Sequence, residues 1–136
     1  MHRDVYSGFA KLEGAEDADT LQAASNYAAS LRPLERFEEI KALMLKNIPI
    51  ARRVLGDEST LVFRMKKIYG NSLYSDPGAT LDDLCEAVTM LEETERIARR
   101  VLGSAHPTTD SIEDDLQGAR AALRAREETQ PSPGSG

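Results

Sequence analysis

The heptapeptide Ile50-Ala51-Arg52-Arg53-Val54-Leu55-Gly56 recurs without a change as Ile97-Ala98-Arg99-Arg100-Val101-Leu102-Gly103, 47 positions further on. A duplication of that length within one short chain marks an internal repeat, and periods of about 20 to 50 residues belong to architectures in which similar units stack side by side. A weaker echo sets the length of the unit. Tyr27-Ala28-Ala29-Ser30-Leu31 matches Tyr69-Gly70-Asn71-Ser72-Leu73 at an offset of 42, as do Gly14 and Gly56. The longer spacing is then one unit plus five residues, which the turn-rich stretch Ser75-Asp76-Pro77-Gly78-Ala79-Thr80 accommodates, because surface loops lengthen at small entropic cost. An array of this kind builds an extended surface on which other molecules lie, which turns the functional question away from catalysis.

Apolar periodicity resolves the units into five helices, with no strand-like alternation between them. Asp17 or Asp19 caps a first helix that runs to Leu31, with Leu21, Ala24, Tyr27 and Ala28 on one face. Pro33 opens a second helix with the stripe Leu34, Phe37, Ile40, Leu43, Met44 and Ile48. Pro49 removes a backbone donor and clashes with the preceding turn, so a kink or break is expected near 47–49, before Ile50 to Leu55 complete the arm and Gly56 stops it. A third helix, from 58–60 to about Tyr74, turns Leu61, Met65, Ile68, Tyr69 and Leu73 inward. Thr80 and Asp83 form a capping-box pair before the longest helix, 81–102, whose Leu84, Val88, Leu91, Ile97, Val101 and Leu102 face the core. On its wet side Glu92 and Arg96, like Glu95 and Arg99, are spaced to pair. Pro107 begins a fifth helix reaching about Arg126, with Ile112, Leu116, Ala119 and Leu123 as its apolar line. The tail from Gln130 lacks the apolar content to fold.

The charge balance narrows the partners. A net charge of -6 and a pI near 5.0 oppose both nucleic acid and an anionic membrane surface, since each is bound through a basic face. No apolar run approaches the ~18 residues of a membrane span, and the N-terminal residues do not form a signal peptide, so a cytoplasmic location is expected. The single cysteine, Cys85, provides no internal disulfide and no thiolate metal site.

A helix pair of about 42 residues that ends in Val-Leu-Gly and is followed by His-Pro-x-Thr resembles the tetratricopeptide repeats of the kinesin light chain type. The match is fullest at Val101-Leu102-Gly103-Ser104-Ala105-His106-Pro107-Thr108-Thr109 and partial at Val54-Leu55-Gly56-Asp57-Glu58-Ser59-Thr60. Ser25-Asn26-Tyr27-Ala28 and Arg36-Phe37-Glu38-Glu39 resemble the family's first-helix and second-helix starts, and the likeness covers roughly residues 14 to 123. It implies an all-α fold of antiparallel helix pairs stacked as a short solenoid. Its units would be the end of an incomplete repeat helix at 1–13, repeat 1 at 14–55, repeat 2 at 56–102 with the insertion near 75–80, a C-terminal capping helix at 103–127 and a disordered tail at 128–136. Ile68 and Gln117 depart from the family pattern, and Gln117 with Asp114 and Asp115 gives the last helix the polar outer face of a cap.

In such arrays the first helix of each pair lines a concave groove that holds a partner peptide. By helix position the resemblance implies a groove of Gln22, Ser25, Asn26 and Ala29, then Arg64, Lys67, Asn71 and Tyr74, then Ser111, Asp114 and Asp115. Amides such as Asn26 and Asn71 both donate to and accept from an extended backbone. Arg64 and Lys67 lie one turn apart and would attract an acidic segment, although a merely solvated face accounts for them equally well. The expected function is a non-catalytic interaction module or scaffold. The alternatives are a self-associating domain, dimerising through Val5, Phe9 and Leu12 at the N-terminal end, or a fragment of a longer array.

No residue pattern points to chemistry. His106 belongs to the turn before Pro107, and two histidines without recurrent Cys or carboxylate spacing make neither a metal nor a cofactor site. Cys85, next to Leu84, is expected as a core thiol. Asp82, Asp83, Asp114 and Asp115 stand in first turns, where negative charge suits the helix dipole, and the two arginine pairs complement its other end.

Overall fold

The computed structural model describes residues 18–129 of the chain. The expectations for His2, Val5, Phe9, Leu12, Gly14, an Asp17 cap and the 130–136 tail lie outside the described residues. Within them the fold is all-α: α1 (Ala18–Leu31), α2 (Phe37–Leu55), α3 (Thr60–Ser75), α4 (Leu81–Leu102) and α5 (Pro107–Thr129), with one 3-10 turn (Arg32–Leu34) after α1. Each helix packs against the next in the chain, and connections of only a few residues turn successive helices antiparallel. The central helix is α3, which also packs against α1 and α5. Its sequence prepares it for that place. Val62, Phe63, Met65, Lys66, Tyr69, Gly70, Asn71, Ser72 and Leu73 are all buried, and a helix covered around most of its circumference belongs in the interior.

The duplicated heptapeptide has duplicated geometry. Gly56 (φ 90°, ψ 161°) and Gly103 (φ 93°, ψ 155°) close α2 and α4 in a left-handed backbone region that a side chain would strain. Their N–H groups donate to Arg52 O at 2.9 Å and Arg99 O at 3.0 Å. Three residues on, the caps of α3 and α5 match as well: Ser59 Oγ accepts from Leu61 N at 3.2 Å, and His106 Nδ1 accepts from Thr108 N at 3.1 Å. His106 is thus a turn and capping residue. The weaker echo is also structural. Ser30 Oγ donates to Tyr27 O and Ser72 Oγ to Tyr69 O, each at 2.6 Å. Tyr27 reaches Glu39 at 3.5 Å, and Tyr69 reaches Glu86 at 2.7 Å, so each tyrosine ties the first helix of its pair to the second.

The Thr80–Asp83 capping box forms in full. Several other expectations are corrected. Pro49 does not break its helix: α2 is continuous, because Pro49 and Leu45, whose carbonyl loses its partner, both lie on the solvent side. Leu34 is 63% exposed in the 3-10 turn, cut off from α2 by Glu35 at φ 55°. In the heptapeptide the fully buried residues are Ala51 and Ala98, while Val54, Leu55 and Val101 are exposed and Ile50, Ile97 and Leu102 half-buried. Cys85 is an exposed thiol and not a core one, since a step of one residue rotates it about 100° away from buried Leu84. Glu95 pairs with Arg99 as spaced, but Glu92 reaches across to Arg120 of α5 at 2.8 Å and not along the helix to Arg96.

Candidate functional site

A cleft of about 340 Å³ opens across α3, with α1 and α5 as its walls. Ala28, Ala29 and Arg32 come from α1 and the turn after it, Arg64, Lys67, Ile68 and Asn71 from α3, and Pro107, Thr108 and Ser111 from the first turns of α5. Only Ile40 comes from an even-numbered helix. The floor is apolar and the rim basic, in a chain whose net charge is -6. Among the described residues neither Arg32 nor Arg64 has a carboxylate partner.

One wall rests on a buried polar cluster. Asp115, in α5, is 6% exposed. Its Oδ1 accepts from the Tyr74 hydroxyl at 2.6 Å and from Asn71 Nδ2 at 2.9 Å, while Oδ2 meets Lys67 Nζ at 3.1 Å. All four residues sit where α3 meets α5. The contact is close because Gly118 carries no side chain: a Cβ there would fall 2.8 Å from the Tyr74 oxygen. Burial, then the hydrogen bond to the Asp115 carboxylate, pushes the Tyr74 hydroxyl well above the ordinary tyrosine range, with Asn71 and Arg32 acting the other way. Tyr69 is raised similarly, by burial first and then by Glu86.

These shifts have a defined pH signature. The folded state holds the two phenols protonated, whereas the unfolded chain releases those protons near the ordinary value of about 10. Their contribution is therefore complete below pH ~10 and lost as pH rises beyond it. Stability measured by denaturant titration is expected to fall above pH ~10, with Tyr69 and Tyr74 ionising late in ultraviolet absorbance. The double variant Tyr69→Phe/Tyr74→Phe should flatten that fall, and an unchanged slope would refute the assignment.

The residues expected to line a groove divide in two. Arg64, Lys67, Asn71, Ala29 and Ser111 do meet in the cleft, and Tyr74 stands behind it, half-buried on Asp115. Gln22 and Asn26 do not reach it; Gln22 Nε2 donates to Asn26 Oδ1 on the exposed surface of α1. Ser25 is buried at 1% exposure and lines nothing. Asp114 and Asp115 lie two turns into α5 and not in its first turn: Asp114 is exposed outside the cleft, and Asp115, read as part of a wet cap, is the buried centre of the polar cluster. Sequence reasoning missed Arg32, although the repeat offset places it in register with Tyr74. It also missed Ile40, Pro107 and Thr108, whose role depends on how α1, α3 and α5 are arranged.

Among the described residues no group of His, Cys, Asp and Glu could hold a metal ion, and no helix is long and apolar enough to cross a membrane. Comparison of the chain with known protein families, characterised proteins and solved structures returns no match.

Proposed function

We propose that the chain is a short tetratricopeptide-like array of helix pairs whose cleft binds an acidic peptide segment of a partner protein, without catalysis. The carrying observation is the origin of the cleft: all but one of its lining residues come from α1, its adjoining turn, α3 and α5, the first helices of successive pairs. The paired Gly56 and Gly103 exits and the Tyr27–Glu39 and Tyr69–Glu86 ties support the repeat reading. An apolar floor offers contact area to a peptide's side chains, and a basic rim attracts and orients an acidic one. Self-association through the N-terminal end rests on residues outside those described and has no comparable support.

Peptides selected from a random displayed library against the intact chain test this reading. They are expected to converge on an acidic pattern and to lose about tenfold in affinity against Arg64→Ala, with the loss shrinking at high salt as exposed charges are screened. Selected peptides that bind Arg64→Ala and Asn71→Ala as well as the parent would place binding elsewhere and sink the proposal.

A further inference from the structure

The charges around the cleft do not balance, and the imbalance has a definite size. Lys67 is neutralised by Asp115 at 3.1 Å, so its ammonium has little left to offer an incoming anion. Arg32 and Arg64 have no such partner among the described residues, and both border the same cleft. The local excess is two positive charges over an apolar floor. One peptide carboxylate would answer half of it. Two carboxylates need two side chains, which on an extended peptide share a face only at alternate positions. A dianion on a single side chain supplies both charges from one position, in a cleft that both arginines line.

From this balance we infer that the cleft receives a phosphomonoester on a serine or threonine side chain of the bound peptide. A phosphorylated side chain carries about -1.5 to -2 charge near neutral pH and three acceptor oxygens. Arg32 and Arg64 bring two planar donor forks, the geometry suited to phosphate oxygens, and the Ser111 hydroxyl on the facing wall adds a further donor. Asp115 contributes indirectly. By holding Lys67 it fixes the site's charge at two and not three, which matches a phosphate more closely than a larger polyanion. Ile68 provides apolar surface for a residue flanking the phosphorylated one. This inference rests on the peptide-binding reading and names the chemistry that the same cleft selects.

The test uses the intact chain, labelled with nitrogen-15, and four probes at constant ionic strength: a seven-residue Ala/Leu peptide with a central phosphoserine, the same peptide with serine or with glutamate there, and inorganic phosphate. The phosphopeptide is expected to shift the amide signals of Arg64 and Ser111 saturably, at least tenfold more tightly than the glutamate peptide, and Arg32→Ala/Arg64→Ala should erase that preference. Circular dichroism checks that the double variant remains folded, and Arg32→Lys/Arg64→Lys keeps the charge while removing the forks, so it should retain binding with a reduced preference. Equal saturation by the glutamate peptide overturns the phosphate inference while leaving the acidic-peptide reading standing. Equal binding of inorganic phosphate removes the peptide from the site, and the absence of shifts at the cleft overturns the inference outright.

Discussion

Replacing Asp115 with alanine is expected to destabilise the protein by about 3 kcal/mol, within the range for removing one partner of a buried charged pair. Three groups lose their acceptor together: the Tyr74 hydroxyl, the Asn71 amide and the Lys67 ammonium. A buried donor left unpaired costs roughly 1–3 kcal/mol, whereas Lys67 retains some access to water and loses less. The fall in Tm should be roughly 10 °C by chemical or thermal denaturation. Asp115→Asn keeps an acceptor for Tyr74 and Asn71 but not the ion pair, so about half the loss is expected. Tyr74→Phe in the Asp115→Ala background should cost little more, because the two residues act as one unit. An Asp115→Ala protein within about 0.5 kcal/mol of the parent would show that the cluster does not hold α5 to α3.

Pro49→Ala carries the opposite sign. Proline in a helix interior is about 3 kcal/mol worse than alanine, and alanine recovers the donor for the Leu45 carbonyl. Against this, proline restricts the unfolded chain, which stabilises by about 0.4–1 kcal/mol where its backbone angle suits. The net gain expected is about 2 kcal/mol, or several degrees in Tm. No packing is lost, since Pro49 is exposed and its neighbours Ile48 and Ala51 keep their buried places. A destabilised Pro49→Ala would mean that the helix depends on the proline for its course, a role that the unbroken run from Phe37 to Leu55 gives no reason to assign.

Helix existence, the capping box, both glycine stops and much of the core were legible in the sequence, because each depends on local spacing: Leu84 and Leu91 mark a face whatever packs on it. The errors fell where rotation or tertiary contact decides. Cys85 was misplaced by a single step around the helix, and Val54 and Val101 were read as packed because apolar residues at the right spacing carry no information about where the neighbouring helix ends. Pro49 was read as kinking or breaking its helix because its cost is local, and the break is absent because its remedy, an exposed carbonyl, depends on which side of α2 faces water. The cleft was half-visible: the resemblance, carried over by helix position, pointed to Arg64, Lys67, Asn71 and Ser111. Asp115 was not identifiable as its support, since an aspartate two turns into a helix looks alike whether it meets solvent or, as here, three donors from another helix.

The exposure of the heptapeptide reverses the usual relation between burial and change. Between the two pairs, buried positions have diverged: Ile40 corresponds to Ala87, Met44 to Leu91 and Asn47 to Thr94. The residues that remain identical include Arg52 and Arg99, Arg53 and Arg100, and Val54 and Val101, all exposed. Glycine geometry accounts for the last letter of the motif and alanine burial for the second, while Arg52 pairs with Asp57, Arg99 with Glu95 and Arg100 with Glu58. The two copies therefore agree at the exposed, ion-paired end of the helix and differ in the core behind it.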